Sequence, residues 1–223
     1  MNLPVGIDDG FAQTKVVLPS GQTLAIPSHG RSGPPRATGV LDAKSAIRCY
    51  RTQERTFSVG VADPESTRFA GYAHSPLNRA IVHHALHRLK LQGQRIDVAS
   101  GLPVSDYYQQ SGEKQSALIE QKQRSLLVPV EKDSGESVSV GFHTVVPEAL
   151  AAWYDLVIDD RSGQPALDQE LMSSPLAVVD IGGRTTDLVV IVDQMITHGS
   201  SGSIEIGVLD LQERLKERLC SEF

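Results

Sequence analysis

The chain has 223 residues, one large domain or two small ones at about 100–200 residues each. Its 21 basic and 27 acidic side chains leave a net charge of −6, and with no long basic run the chain is a poor candidate for direct, sequence-independent nucleic-acid binding, which needs clustered Lys and Arg. Apolar residues make up 40% and charged residues 22%, too apolar for a disordered chain. The longest apolar stretches, such as Leu188–Val192, fall far short of the ~20 residues of a membrane span. No basic segment leads into a long apolar run at the start, so no secretory signal is expected. Cys49 and Cys220 alone make no disulfide framework. A cytoplasmic protein with no membrane contact is the expectation.

In chain order, Pro4–Asp8 is a short apolar strand, Asp8-Asp9-Gly10 a turn and Thr14–Leu18 a returning strand, which together read as a hairpin. Pro19–Gly39 reads as loop with one short strand at Leu24–Ile26, and Thr56–Val61 as a strand. Ser75-Pro76 opens a helix, with Ser as N-cap, Pro at the first helical position, Val82, Leu86 and Leu89 at helical spacing and Gly93 as the stop. Ile96–Ala99 is a strand left by a Ser100–Pro103 loop, Glu113–Leu127 a polar helix and Ser137–Val146 a strand. Pro147 opens a helix over Glu148–Ile158 with Leu150, Tyr154 and Val157 on one face, and Trp153 reads as core. Asp159–Pro175 reads as a polar connector. Leu176–Val179, a Gly-rich turn over Ile181–Thr186 and Leu188–Val192 form another strand pair, and Gly199–Gly202 is a flexible loop. Val208–Leu219 is an amphipathic helix with Val208, Leu211, Leu215 and Leu219 on its apolar face and an Asp210–Arg214 ion pair. Alternating strands and helices indicate an α/β fold, its sheets mixed because of the hairpins.

The segment from Ile7 to Val17 aligns without gaps on the segment from Val179 to Val189. Both read apolar-Asp-x-Gly-x-x-x-Thr-x-apolar-apolar, and they lie too far apart for a solenoid period. Each has a logic for phosphate. A tight turn aims successive backbone N–H groups into one concavity, a nest for anions. Gly10, Gly182 and Gly183 permit close approach, Thr14, Thr185 and Thr186 add hydroxyls, and Lys15 adds a compact positive charge. Carboxylates belong beside phosphate only with a cation between, so Asp8 and Asp180 imply hydrated Mg²⁺. The bland alternative is a pair of ordinary Asp-Gly hairpins.

These residues resemble the phosphate loops of the actin/sugar-kinase/chaperone ATPase superfamily, and within it the plasmid-segregation actins of the ParM/StbA type. Val5–Gly10 with Thr14-Lys15 looks like the first phosphate motif, doubled Asp included. Gly101–Tyr108 looks like the family's Leu-Pro segment, Val146–Ala149 like the start of the helix with the catalytic Glu, and Val179–Asp187 like the second phosphate motif. Ala12-Gln13 stands where related motifs have Gly-Asn, and only 36 residues follow Asp187, without a Gly-Gly pair for adenosine. The resemblance therefore implies an actin-like fold with a complete first domain over 1–170 and a partial second over 171–223, as in a C-terminally truncated chain.

The resemblance also implies ATP, with GTP as the alternative nucleotide, clamped between two lobes. Phosphoryl transfer then rests on positioning and charge stabilisation. Asp8 and Asp180 would hold hydrated Mg²⁺, with Asp180 counted beside Glu148 as catalytic. Asp9, Gly10, Thr14, Lys15, Gly182, Gly183, Thr185 and Thr186 would hold phosphate. Glu148 would orient the attacking water from a first helical turn, where the dipole favours a carboxylate. Asp187 either joins the magnesium shell or caps its turn. Partners would be further copies in a filament and a DNA-binding adaptor, without direct contact to nucleic acid. A sugar or acid kinase of the same superfamily and a non-enzymatic remnant stand as the alternatives. His83 and His87, one turn apart, read as a solvated basic face rather than a metal pair.

Overall fold

The computed structural model describes residues 2–35, 48–160 and 164–222. The chain forms two units, one from residues 1–100 and 120–145, the other from 101–119 and 146–223.

In the first unit, β1 (Leu3–Asp9), β2 (Gln13–Val17) and β3 (Thr23–Pro27) form an antiparallel meander. On its other side β1 pairs in parallel with β7 (Arg95–Leu102), and β9 (Ser139–Pro147) completes the order β3-β2-β1-β7-β9. The sheet is mixed, as expected. A second, antiparallel sheet runs β4 (Gly30–Ser32), β6 (Arg55–Val59), β5 (Arg48–Thr52), β8 (Glu131–Lys132). Helix α1 (Pro76–Arg88) packs on both sheets. Its Leu77, Ile81, Val82 and Leu86 meet Val5, Ile7 and Val16 of the first and Tyr50, Phe57 and Val59 of the second in one core. Ser75 caps it, the hydroxyl accepting the Asn78 N–H at 3.1 Å.

In the second unit, β12 (Leu176–Ile181) and β13 (Thr186–Val192) form a hairpin, and β13 also pairs with β14 (Met195–Ile196) and β15 (Gly202–Ile204). Helix α4 (Glu148–Val157) lays Ala149, Trp153 and Val157 on Val178, Val189 and Ile191. Strand alternation then turns Val179, Ile181 and Leu188 to the opposite face, which is exposed. Helix α6 (Val208–Glu222) has no buried side chain, and its Val208, Leu211, Leu215 and Leu219 stripe faces solvent.

Several expectations are corrected. His83 and His87 do not form a solvated face: His83 is 1% exposed, because α1 lies between two sheets and is buried almost all round. No third ligating side chain joins them among the described residues. The strand expected at Leu24–Ile26 is β3, but the Pro19–Gly39 loop also contains β4, residues 36–39 lying outside the described residues, and β5 had no recognised signal. Asp8 and Asp9 belong to β1, so the first turn begins at Gly10. Ser100–Leu102 continue β7, with Ser100 paired to Ile7 of β1. A short helix, α2 (Val104–Tyr107), follows Pro103 directly, and α3 spans Ser116–Leu127. On α4 the buried stripe is Ala149-Trp153-Val157, leaving Tyr154 exposed. The connector carries a strand pair, β10 (Ile158–Asp159) with β11 (Ala166–Leu167), and α5 (Gln169–Ser173) capped by Asp168. Residues 161–163 of it lie outside the described residues. The loop at 199–202 is a 3₁₀ turn (His198–Ser200) leading into β15.

Candidate functional site

The repeat is structural as well as sequential. In the first hairpin the cross-strand partners are Asp8 with Lys15 and Asp9 with Thr14. In the second they are Asp180 with Asp187 and Ile181 with Thr186. Aligned residues thus occupy the same register, and in each hairpin four residues, 10–13 and 182–185, lie between the last paired positions. A Cβ on Gly10 would lie 3.2 Å from the Gln13 carbonyl oxygen, and one on Gly182 would lie 3.2 Å from that of Thr185. At either position a Cβ would crowd the same carbonyl, and neither glycine has a left-handed φ.

In the first turn, side-chain alternation splits the doubled aspartate. Asp8 is exposed and its carboxylate accepts from the Lys15 ammonium at 2.8 Å. Asp9 faces inward, 5% exposed, and pairs with the fully buried Lys122 ammonium from α3. Thr14 also faces inward. The single Ser28 hydroxyl proton goes to the Gly10 carbonyl at 2.7 Å, so Thr14 donates to Ser28 Oγ at 3.2 Å. Four successive carbonyls of this turn are tied down on the protein side. Asn78 Nδ2 donates to the Asp9 carbonyl (3.2 Å), Thr67 Oγ1 to that of Phe11 (2.6 Å), and the Ser28 N–H to that of Ala12 (2.9 Å). The Phe11 ring rests 5.3 Å from Tyr72. A chain whose carbonyls are held to one side has its N–H dipoles biased toward the other, the arrangement a nest requires.

Deeper in this unit, His143 Nδ1 faces the Gln123 carbonyl at 3.1 Å and so carries the proton, while Nε2 accepts from the Ser100 hydroxyl at 2.8 Å. Burial holds its pKa down, to about 4. Burial also lowers His83 to about 3 and His84, bonded to the Tyr50 hydroxyl at 3.0 Å, to about 4.

The second turn is secured differently. The Gly182 N–H closes it on the Thr185 carbonyl at 2.8 Å. The first N–H groups of α6 bind its other carbonyls, Val208 to Gly182 at 3.0 Å and Leu209 to Gly183 at 2.9 Å. These are among the donors a helix start leaves without intrahelical partners. Gly207 makes the approach possible, since a Cβ there would collide with the Gly183 backbone, and Asp210 accepts the Gly207 N–H at 2.8 Å. Thr186 donates its hydroxyl to the Ile206 carbonyl (2.8 Å), and the Thr185 hydroxyl lies 3.4 Å from Asp187. Asp180 is half-buried. Asp187 is buried and accepts from the Val104 N–H at 3.0 Å and from the Ser203 hydroxyl, so it acts as a cap on α2 and β15.

Glu148 is the first residue of α4, half-buried, with Pro147 at the N-cap. Its side chain lies so close to Gly101 that a Cβ there would overlap it. The sequence reading did not reach Ser28, Thr67, Asn78, Lys122, Gly101 or Gly207 as supports. The Ser75 cap was a legible signal for a helix start three residues before Asn78, but the carbonyl that Asn78 binds is 69 positions away.

Solved structures share this fold. The archaeal actin homologue Ta0583 superposes with a TM-score of 0.70 at 20% identity, covering 99% of this chain and 67% of its own, and has also been solved in complex with ADP. Actin-like protein Alp7A gives 0.71 at 16% identity, covering 100% and 66%. AlfA from a B. subtilis plasmid, solved as a filament and as a filament bound to AMPPNP, gives 0.65 at 14–15% identity, covering 100% of this chain and 78–80% of its own. The chain thus spans about two thirds or more of the length of these structures. No curated protein sequence matches it. The fold is actin-like, and the family model for the N-terminal part of plasmid segregation protein ParM matches residues 3–159, so the chain belongs to that family.

Proposed function

We propose that this chain is a Mg²⁺-ATP-binding and hydrolysing member of the plasmid-segregation actins, that it assembles with further copies into filaments, and that a DNA-binding adaptor links those filaments to plasmid DNA. The observation that carries the reading is the pair of hairpins in identical register, each with an aspartate two residues before its turn glycine and with turn carbonyls held on the protein side. The donor set suits phosphate with a hydrated cation. Asp8 and Asp180 would hold the cation's waters, and Lys15 and the turn N–H groups other than that of Gly182, which closes its own turn, would donate to phosphate oxygens. The exposed Asp8–Lys15 pair is worth little by itself, so exchanging partners costs little. When bound, Mg²⁺ would neutralise phosphate charge during transfer. Glu148 would orient and polarise the attacking water, its side chain occupying the room that the absent Cβ of Gly101 leaves. The complexes named for Ta0583 and AlfA support the nucleotide class, and the family supports the filament.

Titration with a fluorescent ATP analogue, with and without Mg²⁺, tests the reading. Asp8→Ala and Asp180→Ala are expected to weaken binding in Mg²⁺ far more than in EDTA. If both variants titrate as the parent does, the proposed cation site is wrong.

A further inference from the structure

We propose that Lys122 and Asp9 form a positioning pair for the first turn. They fix the end of β1 and cancel the charge of the buried Asp9 carboxylate behind the proposed phosphate nest. The proposal rests on the phosphate reading above and names two residues that hold that site in place.

Three observations point to it. The pair is buried on both sides, with side-chain exposures of 0% for Lys122 and 2% for Asp9. It joins residues 113 positions apart, so it fastens α3 to the last residue of β1. Finally, it lies at the point where the turn starts: the Asp9 carbonyl is held by Asn78, and the next three carbonyls by Ser28 and Thr67.

A buried ion pair is a poor source of stability, because desolvating both ions offsets most of their attraction and an apolar pair of similar volume often does as well. What the ion pair supplies is direction. Among the described residues the carboxylate has one cationic partner, and meeting it fixes both the rotation of the strand end and which face of β1 carries Asp8. It also supplies neutrality. An unpaired Asp9 carboxylate in this low-dielectric position would repel phosphate on the far side of the backbone, whereas the pair is neutral as seen from the turn.

The test uses the full chain, with the Kd for Mg²⁺-ATP, the thermal midpoint and the backbone amide spectrum as readouts. Lys122→Met leaves Asp9 buried without its cation and is expected to lose both stability and affinity. The informative variant is the double substitution Asp9→Asn with Lys122→Met, which removes both charges. Its midpoint is expected to return close to the parent's. Its affinity is expected to stay about 10–100-fold weaker, the usual effect of losing a supporting group behind a ligand site. Lys122→Arg, which keeps charge and hydrogen bond, is expected to bind within about threefold of the parent. A double variant that binds as tightly as the parent would overturn the proposal, and so would a Lys122→Arg loss as large as the double variant's. A parent that does not bind Mg²⁺-ATP refutes the phosphate reading instead. The amide resonances of Gly10–Gln13 then decide the pair: a shift in the double variant supports it, and unchanged positions overturn it.

Discussion

Acidification is expected to unfold the first unit well before carboxylate chemistry alone requires it. His83, His84 and His143 are buried, at 1%, 8% and 3% exposure. Burial is the leading cause of their lowered pKa values, about 3, 4 and 4 against an ordinary 6.5. The charges facing them mostly act in the same direction: Arg79 and His87 on His83, Arg88, Arg48, His87 and Lys132 on His84, and Lys122 on His143, with Asp9 opposing at His143. Because the folded pKa lies below the unfolded one, the unfolded chain binds more protons between pH 6.5 and about 4. Stability is therefore complete above pH 6.5 and falls as pH drops through that window. Each histidine contributes up to about 1.4 kcal/mol per pH unit there, hence about 2 kcal/mol between pH 7 and 5. Three together approach about 6 kcal/mol, comparable with the whole stability of many domains, about 5–15 kcal/mol. Urea midpoints read by far-UV circular dichroism from pH 7.5 to 4.5 measure the effect. The single tryptophan, Trp153, sits in the second unit's core and reports that unit separately. Neither ring nitrogen of His83 has a hydrogen-bond partner, so His83→Leu is expected to be neutral or stabilising at pH 7 and to reduce the pH slope by about a third. An unchanged slope in His83→Leu would refute the reasoning.

Four further outcomes follow from the second unit. Glu148→Ala is expected to retain nucleotide binding and lose hydrolysis by ~10²–10⁴-fold, and Gly101→Ala to lose about 10²-fold by displacing the Glu148 side chain. Phosphate release in single turnovers reads both, and unchanged turnover in Glu148→Ala removes it from the mechanism. Gly207→Ala is expected to break the Val208 and Leu209 bonds to the second turn, a loss of about 2 kcal/mol at roughly 1 kcal/mol per bond. Hydrogen exchange checks it, since those two amides should lose protection while the amides of β13 keep theirs. The exposed stripe of α6 and the bare Val179, Ile181, Leu188 face are expected to drive nucleotide-independent association of the 223-residue chain. Light scattering should fall in Leu211→Glu with Leu215→Glu, and no fall would place the association elsewhere.

What the sequence by itself determined is local. Apolar alternation broken by Asp-x-Gly defined both hairpins, and the repeat they form survives in the register of the paired strands. Ser75-Pro76 and Pro147-Glu148 marked two helix starts, because caps and the first-turn proline act within a few residues. Only the tertiary structure decided which side of each element faces protein. Asp8 and Asp9 are the same residue type side by side, and one is exposed while the other is paired in the core, because Lys122 arrives from 113 positions away. His83 lies on what periodicity alone makes a polar face of α1, yet it is buried because a second sheet covers that face. Ser28, Thr67 and Asn78 carry no local mark of their role, since the carbonyls they hold belong to a turn far from them in the chain. A hydrogen bond between distant residues depends on how the sheets and helices pack, and no window of neighbouring residues contains that information.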